Sequence, residues 1–430
     1  MAHPYDSIPE LAGVATYKDA ARVGYSVAEN VRRLLHLHWI ERTLMRTLVA
    51  RIPSMPIWEV KCAFALHQWQ SAERIDALRG RIAEMRSPAP NLDVPPHASD
   101  DAPDLSDVFD EIEHTEDPKA LVTLIYAKVL PAIADAYRAH VAETNPLVDY
   151  PTRRILRLAL LEIDEAIGWG HAALVAISQR RGATSPVRVE APFAPQRDER
   201  FHGQYNFEFP PHVVYSMANV PADERNLALL CKRALEMDVP EMMASFMSER
   251  DDQPWEFYRD YSRQLWDEAR HAMMGTVAFE AKGVDWKKAI PLNVSFALRL
   301  NLHADPIERQ IMLYAIEQSL MPGETGKRFE HATAVEAGDE LSAHFHDYDW
   351  ADEVLHAQIG RRMLKRDGIT SQEASERAKA VHDKTWAALD RYRDRDAQEN
   401  WWPAFVRTVL GKDSAVAQKR DLGPINVFSE

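Results

Sequence analysis

Nine residues, Asp267-Glu268-Ala269-Arg270-His271-Ala272-Met273-Met274-Gly275, recur as Asp352-Glu353-Val354-Leu355-His356-Ala357-Gln358-Ile359-Gly360, so both copies read D-E-x-x-H-A-x-x-G. On a helix, a Glu and a His three residues apart share one face and can hold one metal ion together. A carboxylate with an imidazole suits iron, manganese or zinc.

The repetition extends upstream. Glu236 precedes Glu268 by 32 residues in Ala234-Leu235-Glu236, and Glu317 precedes Glu353 by 36 in Ala315-Ile316-Glu317. Each upstream Glu is followed by a proline (Pro240, Pro322) and then by another Glu (Glu241, Glu324). Two copies of one helical hairpin therefore offer four Glu and two His, a ligand set for a dimetal site in a four-helix bundle. E-x-x-H also occurs at Glu111/His114 and Glu199/His202, and roughly one such match is expected by chance. Those two fail on context: the first lies in the acidic run 104–117, the second in a Pro/Arg-rich segment, and neither has an upstream A-[LI]-E partner.

Residues around the ligands are apolar: Tyr261 and Leu265 before Glu268, and Leu313, Tyr314, Leu320 and Met321 around Glu317. The carboxylates are therefore expected to point inward. Four buried carboxylates are untenable without counter-charge, since each unpaired one costs several kcal/mol. Two divalent cations balance four carboxylates, so two metals are expected.

With 430 residues and 46% hydrophobic residues, the chain can bury a large core and divides into two domains. Scarce Gly with frequent Ala, Leu, Arg and Glu favours helix, so the fold class is all-α. A net charge of -15 opposes nonspecific binding to nucleic acid or to an anionic membrane. No apolar run reaches the roughly 18 residues of a membrane span, and residues 1–10 carry no signal region, so a cytoplasmic location is expected. Cys62 and Cys231 are too few for a disulfide framework or a Cys-rich metal site and read as buried thiols.

Along the chain, 1–24 reads as an irregular arm. Ser26-Val27-Ala28-Glu29 opens a helix that runs to about Arg51, and a second covers about 57–86. Residues 87–115 read as a long acidic surface loop. Asp117-Pro118 opens a helix to about Glu143, and another spans about 151–180. The Pro-rich stretch 182–220 reads as a linker. Helices are expected at 221–249, 254–281, 305–337 with a break near Pro322-Gly323, 340–366 and 370–395. Trp401-Trp402 read as packing anchors.

Ala72-Glu73-Arg74-Ile75-Asp76-Ala77-Leu78-Arg79-Gly80 repeats the motif with Asp76 in place of His, and Glu41 precedes Glu73 by 32 residues. Asp164-Glu165-Ala166-Ile167-Gly168 is a weaker echo. The chain thus reads as 25–181 and 221–368, two tandem bundles of which the first is degenerate, followed by a 369–430 tail. Lacking both E-x-x-H histidines, the first is expected to hold no metal, and His38, His67 and His171 read as core or surface residues.

These residues resemble the ferritin-like di-iron carboxylate superfamily, which includes ribonucleotide reductase small subunits, bacterial multicomponent monooxygenases and rubrerythrins. The resemblance covers 221–366. It implies that Glu268 and Glu353 bridge two irons, that His271 and His356 each bind one, and that Glu236 and Glu317 are terminal ligands. Glu324 is an alternative to Glu317, at 29 residues before Glu353. Manganese, or a mixed pair, fits the same ligands. Tyr314, Tyr261 and His346 are candidates to stand beside the ligands.

The resemblance further implies activation of dioxygen to oxidise a small organic substrate, with electrons from a separate protein, because the chain shows no Rossmann fingerprint and no Cys cluster. Metal handling, as a ferroxidase, and a structural role with an idle metal pair are the competing functions. A homodimer stays open.

Overall fold

The computed structural model describes residues 3–85, 88, 90–96, 103–179, 193–202, 214–292, 295–389 and 401–416. Among these residues every regular element is helical, and the β structure is confined to an isolated bridge between His202 and Pro291. The fold is all-α. It divides into two compact units, Met1–Leu48 with His67–Arg181, and Val49–Leu66 with Gly182–Glu430. Val49–Leu66 thus belongs with the second unit, although it lies inside the 25–181 stretch.

The first unit is built on the part of α1 (Val27–Arg51) up to Leu48, the part of α2 (Trp58–Glu84) from His67, α3 (Pro118–Glu143) and α4 (Tyr150–Gln179). Ser26 Oγ accepts from the Glu29 amide at 3.2 Å and so caps α1. Asp117 caps α3 through the Ala120 amide at 2.8 Å, with Pro118 in the first turn. Within α3, Leu124–Val129 forms a π-helical segment. Arm residues Pro4–Ser7, Glu10–Gly13 and Tyr17–Ala20 form single helical turns rather than a wholly irregular strand of chain.

Two expectations require correction. The acidic 87–115 segment contains a helix, Ser106–His114, because Val108, Phe109 and Ile112 form an apolar stripe that its carboxylates obscure; Ile112 is fully buried. Secondly, α3 is long and apolar enough, by length and composition, to cross a membrane. Its apolar face, from Leu121 through Ile125, Val129 and Ile133 to Tyr137, is buried, as in a core helix.

In the second unit, α5 (Ala222–Leu235) and α6 (Asp238–Glu249) form one broken column. After α7 (Trp255–Ala281) and the short α8 (Ser295–His303), a second broken column follows, α9 (Pro306–Ser319) and α10 (Lys327–Glu336). Then come α11 (Glu340–Arg366), α12 (Ser371–Leu389) and α13 (Trp402–Leu410). Helix α7 packs on α5, α6 and α11; α11 packs on α9 and α10; α5 meets α10 and α6 meets α9. The columns therefore run antiparallel, with two unbroken 27-residue helices, α7 and α11, completing the ring.

Both breaks follow from proline. Pro240 lacks the amide that would bond the Glu236 carbonyl four residues back, and the Val239 amide takes that carbonyl instead at 2.9 Å. Pro322 ends α9, and the chain turns through 320–326 before α10 begins. Gly326 permits the turn, since a Cβ there would lie 2.0 Å from the Leu320 carbonyl oxygen. The anchor reading of Trp402 agrees with its position: it is fully buried, and its Nε1 donates to Glu224 at 2.9 Å.

Candidate metal centre

Helix α7 turns Asp267, Glu268 and His271 inward, and α11 turns Asp349, Glu353 and His356 toward them. Glu236 enters from the break between α5 and α6, and Glu317 from α9. Ligand atoms of Glu236, Glu268, His271 and Glu353 all lie within 4.8 Å of one another, and so do those of Glu268, Glu317, Glu353 and His356. Glu268 and Glu353 belong to both groups. All six residues named from sequence meet in one place, and Glu324 is exposed on the 320–326 turn.

The shared carboxylates face both ways. Glu268 Oε2 is 3.5 Å from His271 Nδ1, while its Oε1 is 3.0 Å from His356 Nδ1. Glu353 Oε1 is 4.0 Å from His271 Nδ1, and its Oε2 is 3.2 Å from His356 Nδ1. On the far side of each ring, His271 Nε2 is 3.1 Å from Asp352 and His356 Nε2 is 3.4 Å from Asp267. With an aspartate to accept Nε2–H, each ring turns its Nδ1 toward the carboxylates, and Nδ1 is the nitrogen that a metal ion would take. Arg270 joins the two aspartates, 2.7 Å from Asp267 and 2.6 Å from Asp352.

The motif glycines set the depth of the site. A Cβ on Gly275 would lie 2.3 Å from the Ala234 amide nitrogen, and one on Gly360 would lie 2.9 Å from the Tyr314 ring. Each glycine therefore lets the helix bearing the upstream Glu approach closely.

Burial without metal leaves the carboxylates in conflict. Burial, and then the neighbouring Glu353, pushes Glu317 well above the carboxylate range. Glu353 also suffers burial, but Lys327, Glu317 and His356 overcome it and hold it well below that range. The two carboxyls are thus driven apart, Glu317 toward the protonated form and Glu353 toward the ionised one. Glu317 Oε1 accepts from Gln264 at 3.0 Å, while its Oε2 has no hydrogen-bond partner among the described residues. Against the cost of burial, Asp349, Asp352 and Glu268 raise His271 to about 10. Protons thus stand where divalent cations fit, and the donor set of four carboxylates and two Nδ1 atoms suits first-row divalent ions.

Several participants escaped the sequence reading. Arg233 lies 2.6 Å from Glu236 and 2.8 Å from Asp349 Oδ1. Lys327 Nζ lies 2.8 Å from Glu353 Oε1 and 2.9 Å from Asp349. Glu330, His346 and Asp349 form a third buried group. Gln264 and Asp349 carry a signal, each four residues before a motif Glu and so on its face; Lys327 and Glu330 carry none.

Of the flanking candidates, His346 sits in that third group. The Tyr314 hydroxyl is 3.1 Å from Ser371 Oγ, on the α12 side. Tyr261 is packed edge-on against Phe246 and Phe257, 5.1 and 4.9 Å between centroids, and its hydroxyl has no hydrogen-bond partner among the described residues. The remaining E-x-x-H pairs, Glu111/His114 and Glu199/His202, are exposed.

In the first unit the motif echo fails in register. Glu73 and Glu165 are exposed, and Arg74 points inward instead. Arg74 Nε and Nη2 donate to Glu41 at 2.7 and 2.9 Å, Tyr137 donates at 2.9 Å, and Ser71 donates as well. A guanidinium supplies the counter-charge for Glu41. Among the described residues nothing lies within 4 Å of a Cβ built on Gly80 or Gly168, so neither repeats the close approach of Gly275. His38 and His67 are buried, and His171 is exposed.

Comparison with known protein families, with curated proteins and with solved structures yields no match.

Proposed function

We propose that the second unit is a ferritin-like four-helix bundle holding a pair of divalent metal ions, iron the first expectation, and that the protein activates dioxygen to oxidise a small organic substrate. The observation that carries this reading is the sharing of Glu268 and Glu353 between two buried ligand groups. Glu236 and His271 would complete one metal position, Glu317 and His356 the other. The first unit would be a degenerate copy, with the Glu41–Arg74 pair in place of metal.

A ferrous pair would supply electrons and Lewis acidity at one point. The chain's own residues do the rest. Asp352 and Asp267 orient the imidazoles, and Arg270 holds those aspartates together. Burial keeps these groups from bulk water and strengthens each electrostatic contact. Glu317, whose carboxyl burial and Glu353 push toward the protonated form, would bind metal as the carboxylate, so loading would release protons. A separate reductant protein would return electrons, and the net charge of -15 offers a basic partner a surface to approach.

The experiment is anaerobic loading with ferrous iron, elemental analysis, and admission of air while dioxygen uptake and the optical spectrum are followed. About two irons per chain, rapid dioxygen uptake and a new near-ultraviolet band support the proposal. Continued oxidation of many added ferrous ions per site would favour the ferroxidase alternative. Bound iron without dioxygen uptake would leave an idle metal pair and overturn the enzymatic reading.

A further inference from the structure

We infer that Lys327, held with Arg233 on Asp349, is a built-in cation that makes the two metal positions unequal, so that the Glu317/His356 position fills first and the Glu236/His271 position second and more weakly. This rests on the dimetal reading above and deepens it.

The asymmetry lies in which oxygens the cations touch. Lys327 Nζ lies 2.8 Å from Glu353 Oε1, the oxygen that faces His271, whereas Oε2 faces His356. Arg233 contacts Glu236, a ligand of the same position, and Asp349, whose Oδ1 is 3.2 Å from His271 Nδ1. Both cations are buried. Around the other position, Glu317 accepts from the neutral amide of Gln264, and Arg263 and Arg270 contact Asp267, the partner of His356. A divalent ion entering beside His271 meets two fixed positive charges that an ion beside His356 does not, and such repulsion is strong in a low-dielectric interior.

The same cations close the third group. Glu330 is bridged by Lys232 at 2.5 Å and Arg233 at 3.1 Å, and Asp349 by Arg233 at 2.5 Å and Lys327 at 2.9 Å. Glu330, His346 and Asp349 have the spacing of a metal site, but side-chain cations already neutralise both carboxylates. The chain should therefore hold two ions rather than three.

Metal-free full-length protein titrated with Mn(II) and followed by electron paramagnetic resonance tests this. At one equivalent the expected spectrum is that of an isolated bound Mn(II), and at two it broadens through coupling between neighbours. The second step should be at least about tenfold weaker than the first, the scale on which groups behind the ligands act. Lys327→Gln should strengthen the second step by about tenfold or more and shrink the isolated-ion phase. Because that substitution also disturbs Asp349, two further variants decide independently: His271→Ala should retain one tightly bound ion, and His356→Ala only a weakly bound one. Paired spectra from the first addition, or the reverse order in the histidine variants, overturn the inference while leaving the dimetal reading intact. A third tightly bound ion overturns the closed third group. No bound Mn(II) overturns the dimetal reading itself.

Discussion

Asp352 sits 3.1 Å from the Nε2 of His271, a histidine of the other motif, and Asp267 faces the Nε2 of His356 at 3.4 Å in return. The D of each D-E-x-x-H thus serves the H of its partner. Helices α7 and α11 are tied through their own candidate ligands, and each imidazole keeps its Nδ1 turned toward the carboxylates.

Replacing Asp352 by Asn should lower metal affinity by about 10–100-fold while far-ultraviolet circular dichroism stays unchanged, because only the orientation and basicity of His271 are lost. Competition with a chelator measures it. Unaltered affinity would mean that the aspartate is merely a surface partner of Arg270.

The motif glycines give a paired expectation. Gly275→Ala forces a methyl against the α5 backbone at 2.3 Å and should cost about 1–3 kcal/mol of stability, with metal content reduced because Glu236 moves with α5. Gly80→Ala, with open space around it, should instead stabilise α2 by about 0.5–1 kcal/mol. Urea midpoints of the two variants check both signs.

Arg74→Leu should destabilise the first unit by about 3–5 kcal/mol, since it leaves the Glu41 carboxylate buried without its cation. Metal content should not change. Glu73→Ala, at an exposed position, should alter neither stability nor metal; loss of half the metal in that variant would show a live site in the first unit.

Burial lowers His38 and His67 to about 3 and His140 to about 4. An unfolded histidine takes up its proton near pH 6.5, so between about 6.5 and 3 the unfolded chain binds more protons than the folded one. The contribution of these neutral histidines is complete above pH 6.5 and is lost as the pH falls through that window, at up to about 1.4 kcal/mol per pH unit for each. The urea midpoint of the first unit should decline from pH 7 toward pH 4, and the slope should flatten in a His38→Gln, His67→Gln double variant. An unchanged slope would contradict the buried neutral state.

Features set by local spacing were legible in the chain. The i, i+3 Glu–His pairs, the prolines behind Glu236 and Glu317, and the spans of α7 and α11 all follow from helical period and backbone chemistry. The choice of Glu317 over Glu324 was not, because it depends on how the 320–326 turn leaves α9. That turn also swings Lys327 and Glu330 into the core, where no periodicity announces them. In the first unit the sequence alignment put Glu73 opposite Glu268, whereas the helix faces Arg74 inward. Adjacent helical residues point about 100° apart, and the unpaired charge of Glu41 decides between them. The helix at 106–114 was masked by its own acidic residues, which sit on its solvent side.

The most direct test is an anomalous difference map from crystals of the iron- or manganese-loaded protein, measured on both sides of the metal edge. Two peaks about 3.5–4 Å apart, flanked by Glu268 and Glu353, with His271 on one and His356 on the other, are expected. A single peak, or peaks elsewhere with the carboxylates still paired to Lys327, His271 and His356 alone, would contradict the dimetal centre.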